Sequence, residues 1–415
     1  MQVKKIQLFR SQGLEFANNH HVTLLQGAAQ FFPALIEAID AAVASVQFET
    51  YIFDFTGAGA EVAQALMRAA QRGVRTQVMV DGVGTGPLPQ AWVEHFKTAG
   101  VDYQVYSPLG PLGLLLPQRW RRLHRKLCVV DGSVLFCGGI NVLDDFHDPN
   151  YGTLDAPRFD FAVQATGHLV TQARQTMYRL WWRMQALRDV RHRHLPEAVQ
   201  SLRTSIAVND AAGATLAKAA TQRAALVLRD NVRNRSRIEK AYLRAIGGAR
   251  KEIIIANAYF VPGRKLRRAL VMATRRGVRV RLLLQGRYEY FMQYHAARPV
   301  YGALLAAGVE IYEYAPSFLH AKVAVIDAMG DKPWATVGSS NLDPLSLLLA
   351  REANVVVEDA AFAMDLHQRL VQAMEHAGRR MDPARYASRP LRERVLDRVA
   401  FALMRLALWV TGNRY

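Results

Sequence analysis

Apolar residues along this chain fall into two alternating patterns: short continuous or alternating runs, and longer stretches with apolar positions three and four apart. The first is the signature of strands and the second of helices, so the chain predicts strands interleaved with helices. Gln26 to Ala44 carries Phe32, Leu35, Ile36 and Ile39 at helical spacing, and Val46 to Phe53 follows as a strand with Glu49 and Tyr51 on one face. Glu61 to Gln71 is again helical and stops at Arg72-Gly73, and Val74 to Val80 makes the next strand, ending at Asp81-Gly82. That order is a βαβ unit, which requires a parallel pair with a right-handed crossover. The pattern then returns, with a strand at Ile253 to Phe260, a helix at Lys265 to Arg276, a stop at Gly277 and a strand at Val278 to Leu284. Arg72-Gly73-Val74-Arg75 and Arg276-Gly277-Val278-Arg279 match letter for letter, so the chain reads as an internal duplication.

Each copy also carries the same polar motif. His124, Lys126 and Asp131 form H-x-K-x4-D, closed by Gly138-Gly139-Ile140-Asn141; His320, Lys322 and Asp327 repeat it, closed by Gly338-Ser339-Ser340-Asn341. The runs Leu127 to Val130 and Val323 to Ile326 predict buried strands, which puts each His and its Lys on one face. The odd spacing from His to Asp turns Asp131 and Asp327 to the opposite face of a straight strand, where they hold the frame. Asp131-Gly132 reads as a hairpin turn, with a longer turn through Gly330 to Pro333 in the second copy. Two basic side chains and an amide converging on one point suit an anionic tetrahedral group such as phosphate, and histidine near neutral pH serves as nucleophile or general acid. A single H-x-K match is usually incidental; the full pattern twice in one chain is not.

On these motifs the chain resembles the phospholipase D superfamily, whose signature is the duplicated H-x-K-x4-D. The surroundings of both motifs, including Gly338 to Ser346, resemble the bacterial cardiolipin synthases of the B type, over roughly Gln26 to Met374. The resemblance implies an α/β fold of two similar α/β/α sandwich halves packed as a pseudo-twofold pair, with the site at their interface. It implies a catalytic set of His124, Lys126, Asp131, His320, Lys322 and Asp327, with Asn141 and Asn341 on the phosphate. It also implies that Asp160 and Glu352 hydrogen-bond the ring nitrogen of an active histidine that faces away from substrate, fixing its tautomer. His124 is the nucleophile by the same analogy.

Composition narrows the partner. A net charge of +18 over 415 residues, with Arg far outnumbering Lys, points to an anionic partner, either nucleic acid or an acidic membrane surface. Pro108 to Pro117 is apolar but broken by Pro and Gly, and Arg119, Trp120, Arg121, Arg122 and Arg125 follow it. It reads equally as a lip dipping into lipid or as a loop covering the core. Asp144 to Pro157 reads as a loop at the cleft mouth, Arg191 to Ala220 as a polar linker, and Tyr288, Tyr290, Phe291, Tyr294 and His295 as an aromatic cluster at the substrate entrance. Arg191-His192-Arg193-His194 has neither Cys nor an acidic partner at ligand spacing, so no metal is expected there or in the mechanism. Cys128 and Cys137 read as two buried small hydrophobes. Met1 to His20 shows no apolar run typical of a signal peptide. After Leu391 the apolar residues Val395, Leu396, Val399, Leu403, Leu406 and Trp409 are interrupted by Arg392, Arg394, Arg398 and Arg405; this fits an interfacial helix better than a span, with packing on the core as the alternative.

The expected organisation is a first phospholipase D-like domain over 1–200, a second over 201–380 and an amphipathic membrane-associating tail over 381–415. The resemblance implies a cofactor-free phosphatidyl transfer from one phosphatidylglycerol to another through a phosphohistidine. A phosphodiesterase of the same fold using water as acceptor is the alternative. The expected partners are anionic phospholipid and a membrane surface rather than nucleic acid, with the protein peripheral on the cytoplasmic side of the inner membrane. Pro344-Leu345 departs from the basic or polar pair common in the wider superfamily and leaves acceptor choice open.

Overall fold

The computed structural model describes residues 14–108, 110, 120–148, 151–191, 194–206, 221–230, 234–288, 291–343 and 350–410. The apolar segment 111–117, Arg119, His192 and Arg193, Tyr290, Pro344 to Ser346 and most of the amino-terminal stretch lie outside them.

The first half runs β1 (Ala17–Gln26), α1 (Gly27–Asp40), β2 (Ser45–Thr50), α2 (Gly57–Gln71), β3 (Arg75–Asp81), α3 (Gln90–Ala99), β4 (Asp102–Tyr106), β5 (Arg122–Leu123), β6 (Lys126–Val130), β7 (Val134–Gly138), the small hairpin β8 (His147–Asp148) and β9 (Gly152–Thr153), β10 (Phe161–Thr166) and α4 (His168–Arg191). A short helix, α5 (Leu195–Ile206), follows, so the region read as a linker contains ordered structure and residue 200 falls inside a helix. The second half runs β11 (Gln222–Arg229), α6 (Arg237–Gly248), β12 (Glu252–Asn257), α7 (Arg264–Arg275), β13 (Arg279–Gln285), α8 (Phe291–Ala306), β14 (Glu310–Tyr314), β15 (Lys322–Ile326), β16 (Trp334–Gly338), β17 (Ala350–Glu358), α9 (Ala360–His376) and β18 (Gly378–Arg380), then α10 (Pro383–Ala387) and α11 (Leu391–Val410).

The two halves build the same sheet. Their strand orders are β4-β3-β2-β6-β7-β10-β1 and β14-β13-β12-β15-β16-β17-β11, and β1 joins β11 antiparallel so that one sheet runs through both, with β18 at its far edge. In each half the three outer strands are parallel, as the βαβ pattern requires, and the motif strand lies antiparallel beside the first of them. Alternation of side chains across a strand splits the core into three large clusters, with a smaller one around Met79, Leu123 and Trp181. Residues such as Phe48, Leu66 and Val78 pack under α1 to α3, and Ile253, Leu270 and Leu282 pack under α6 to α8. The other faces of both halves share one core with α4 and α9, in which Leu127, Val163 and Met177 meet Val323, Val355 and Leu366. At about 1.5–3 kcal/mol for each large side chain buried, that shared core is what fixes one half against the other.

Cys128 and Cys137 illustrate the alternation. β6 and β7 are hydrogen-bonded neighbours, yet Cys128 pairs with Phe136 and Cys137 with Leu127, and the two thiols enter different cores. Burial pushes both thiols up, Cys137 to about 12.

Candidate active site

The two motifs meet at the interface of the halves, and short backbone bridges bring them there. Arg122 and Leu123, just before His124, pair in parallel with Ala350 and Arg351, just before Glu352, and the His124 N–H donates to the Arg351 carbonyl at 3.1 Å. The mirror bridge joins Leu319 to Phe159: the His320 and Ala321 N–H groups both donate to the Phe159 carbonyl, at 2.9 and 3.0 Å. Each bridge sets the carboxylate of one half against the histidine of the other. His124 Nδ1 lies 3.0 and 3.1 Å from the two carboxylate oxygens of Glu352, and His320 Nδ1 lies 2.6 Å from Asp160. With Nδ1–H donating to an anion, Nε2 of each ring is left bare toward the cleft.

The lysines sit deeper. Lys126 donates to the carbonyl of His124 at 2.8 Å, and Lys322 donates in the same way to the carbonyl of His320. Both lysines are buried, whereas the His124 and His320 side chains keep 15% and 22% of their surface, so the imidazoles are what a ligand reaches first. Burial, and then the charge of Lys322, lowers Lys126 to about 7 even though Glu352 and Asp160 oppose the shift. Burial and the charges of Lys322, Lys126 and His124 hold His320 well below its ordinary value, and burial lowers His124 despite Glu352. Burial also raises Asp160 to about 6 against the pull of Lys322. Groups from both motifs act on one another, so the two sets form a single crowded, electropositive site.

Asn141 and Asn341 are buried at the ends of β7 and β16. The Ile52 N–H takes the Asn141 amide oxygen at 3.3 Å, which turns its NH2 group out as a donor. Asp131 and Asp327 stand at the far ends of β6 and β15, away from the imidazoles. The Asp131 carboxylate accepts from the N–H groups of Val43, Ala44 and Ser45 at 2.8–2.9 Å, and Asp327 accepts from those of Arg250, Lys251 and Glu252 at 2.8–2.9 Å. Both take φ of 49°, in the left-handed region that Asp tolerates. Asp131 with Gly132 (φ 64°) makes the tight turn into β7.

Several residues of the site escaped the motif reading. Ser339 Oγ accepts from the Ala353 N–H at 3.1 Å and donates to Glu352 at 2.5 Å; its counterpart is Gly139, where a Cβ would sit 2.3 Å from an Asp160 oxygen. The Tyr51 ring packs 4.8 Å from the His124 ring. At the strand ends preceding the motifs, Asp81 accepts from the Leu123 N–H at 2.7 Å and Gln285 from the Leu319 N–H at 3.3 Å. The signal for the last pair was present: both copies end that strand with a polar residue and a glycine, Asp81-Gly82 and Gln285-Gly286.

Two of the arginines that follow the segment read equally as a lipid lip or a core-covering loop pair with buried acids. Arg125 is 2% exposed and paired with the equally buried Glu49 at 2.5 and 2.9 Å, and Arg122 pairs with Asp81 at 3.1 Å. The segment after Asn141 is tied down by Arg158, which holds Asp148 at 2.8 Å, while Tyr151 packs on Phe318 of the other half. Tyr288, Phe291, Tyr294 and His295 do cluster, with ring centroids 4.7–6.2 Å apart.

Comparison with known proteins agrees with this geometry. The family model described as "Cardiolipin synthase, PLD-like domain" matches residues 35–153 and 242–375, one match for each motif. Cardiolipin synthase B of Salmonella typhi is 37% identical over 360 residues, covering 85% of this chain and 79% of that protein. Cardiolipin synthase B of Escherichia coli K12 is 36% identical over 358 residues, 84% and 79% of the two chains. Among solved structures, phosphatidylserine synthase of Haemophilus influenzae superposes with a TM-score of 0.64 over 93% of both chains at 14% identity, a likeness of fold.

Proposed function

The chain belongs to the cardiolipin synthase family of phospholipase D-like proteins, and from that membership we propose that it moves a phosphatidyl group from one phosphatidylglycerol to the hydroxyl of a second, giving cardiolipin and free glycerol. It is a phosphatidyltransferase acting on phospholipid. The observation that carries the finer reading is the pair of imidazoles, each held at Nδ1 by a buried carboxylate, in one field with two buried lysines. In the first step His124 Nε2 attacks phosphorus, the bond to the glycerol oxygen breaks, and His320 gives that oxygen a proton. In the second step His320 takes the proton of the incoming hydroxyl, its oxygen attacks phosphorus, and the phosphorus–nitrogen bond breaks to restore His124. Lys126, Lys322, Asn141 and Asn341 face the non-bridging oxygens, where charge builds. Glu352 stabilises the cationic phosphoimidazole, and Asp160 the imidazolium of His320.

His320 must be protonated to act as acid, and in the empty site burial and then its cationic neighbours oppose this. A bound phosphodiester brings the opposite charge and restores the proton, so substrate arms its own acid catalyst.

The surface supports a site of action at a membrane. No helix among the described residues is long and apolar enough to cross a membrane. α11 packs one face on α8 through Phe401, Met404 and the buried Ala400, while Val395, Val399, Leu403 and Leu406 on its other face are 49–55% exposed. Packing on the core is thus seen for one face of this helix, and the exposed stripe on the other supports the interfacial reading. The outer stripe and the +18 charge fit peripheral attachment to an acidic bilayer on the cytoplasmic side of the inner membrane.

The test is product analysis by mass spectrometry after incubation with phosphatidylglycerol alone and with phosphatidylethanolamine added. Cardiolipin with stoichiometric glycerol is expected, lost by roughly four orders of magnitude in His124→Ala. Alkaline quenching should leave the phosphatidyl group on the His124 peptide. Phosphatidic acid as the sole product would make the protein a hydrolase, and label on the His320 peptide would exchange the two roles.

A further inference from the structure

Outside the catalytic cleft, a groove of about 580 Å³ lies between α8, α10 and α11. That is the size of an ordinary small-molecule site, and none of its lining residues belongs to the two motifs. Its α8 residues centre on Ala303, twelve positions from Phe291 at the start of the helix, which places the groove roughly 18 Å along the axis from that end. His295 meets Asp397 at 2.8 Å near the start of α8, while Ala303 and Ala306 share the groove with the earlier Arg394, so α11 runs antiparallel to α8.

The lining divides by chemistry. Part of its lining, taken as the floor, is small and apolar: Gly302, Ala303, Ala306, Ala384 and Ala387, of which the alanines are exposed. Arg389 is held by Asp397 at 3.0 Å and stacks over Tyr386, which leaves it committed to the fold. Arg394 and Arg398 line the same groove, are exposed, and make no ion pair among the described residues. With Arg405 they are spaced by four and seven positions, which stacks the three along one flank of the helix. Val395, Val399, Leu403 and Leu406 form the exposed stripe beside that flank. A bilayer resting on the stripe therefore sets its phosphate layer against the arginine column, with the alanine-floored groove just behind.

We propose that this groove is an accessory site for one acidic glycerophospholipid, its phosphate on Arg394 and Arg398 and one acyl chain along the alanine floor. The bound lipid keeps α11 seated at the bilayer and takes no part in the chemistry. The free arginines supply charge complementarity to the phosphate, and the small floor residues leave room for methylenes that a free phosphate would not use.

The experiment labels the full-length protein with a phosphatidylserine carrying a diazirine in its acyl chain, presented in phosphatidylcholine vesicles, and maps the labelled peptides. Label is expected on the α8 and α10–α11 peptides, reduced roughly tenfold in Arg394→Gln/Arg398→Gln. Ala303→Trp fills the exposed floor, keeps every charge, and should remove the label to a similar extent. Excess inorganic phosphate should leave it intact. Label that survives Ala303→Trp, that falls only on peptides bearing His124 and His320, or that inorganic phosphate displaces would overturn the proposal. Cardiolipin formation from monomeric short-chain phosphatidylglycerol, measured on the same preparations, should be unchanged in both variants. Its absence from the wild-type protein would sink the phosphatidylglycerol reading and leave the labelling result standing.

Discussion

Ser339 and Gly139 occupy equivalent positions, and their difference sets the two carboxylates apart. The Ser339 hydroxyl receives Ala353 N–H and so turns its hydrogen to Glu352, adding a charge-assisted bond behind His124. Asp160 has the Phe161 N–H at 2.8 Å in that capacity and leaves no space for a side chain at position 139. Ser339→Ala should lower kcat about tenfold with little change in KM, since it removes roughly 1.5 kcal/mol of support from an anion that matters most when His124 becomes cationic. Gly139→Ser, although it copies the other half, should do more damage by displacing Asp160. A second prediction concerns protons. Lys126, lowered to about 7 mainly by burial, is largely neutral at pH 8 in the empty site, and a bound phosphodiester raises it again. Binding of a phosphodiester to the His124→Ala/His320→Ala double variant, which removes both imidazoles and leaves Lys126, should therefore take up protons at pH 8 and far fewer at pH 6, read by calorimetry in buffers of different ionisation enthalpy. Proton release at pH 8 would refute it. At this scale the motif residues were legible because a repeated pattern marks them. Ser339 was visible only as part of that pattern, and Tyr51 only as a strand residue, because which ring or carboxylate a side chain meets across the interface is not encoded in local spacing.

Among elements, the turn after each motif strand does the positioning. Asp131 ties the start of β2 to the end of β6, and Asp327 ties β12 to β15, each with three backbone donors. Burial tends to raise Asp131, but the three N–H groups outweigh it and hold the carboxyl below its ordinary range. A depressed folded-state value means stability that is present above the unfolded pKa and lost as pH falls through the folded one. Asp131→Asn should accordingly cost roughly 1–3 kcal/mol at pH 7, seen as a lower melting midpoint, and the gap from wild type should narrow below about pH 4. A gap that stays constant with pH would contradict the charge-based account. The odd His-to-Asp spacing made this framing role readable in advance. The helix within Arg191 to Ala220 was not, because its stability comes from packing on α4 rather than from strong local signals. The same limit applied to Arg122 and Arg125: in sequence they look like a basic cluster, and only the fold reveals the buried acids Asp81 and Glu49 that receive them.

For the whole molecule, the duplicated βαβ pattern foretold two like halves, while the single sheet through β1 and β11 and the exchange of carboxylates between halves depend on docking that no local pattern carries. Residues 14–206 produced alone should show no detectable turnover, since His124 would lack Glu352 and the second imidazole; measurable activity from that fragment would refute the shared site. The exchange also bears on the order of events during synthesis of the chain. β17, which brings Glu352, lies more than two hundred residues after His124, so that imidazole acquires its orienting carboxylate only once almost the whole chain has emerged and the halves have closed. A half-made or half-folded chain thus carries no fully oriented His124. Completion of the fold is itself the safety catch on a reaction that cuts and rejoins phospholipids.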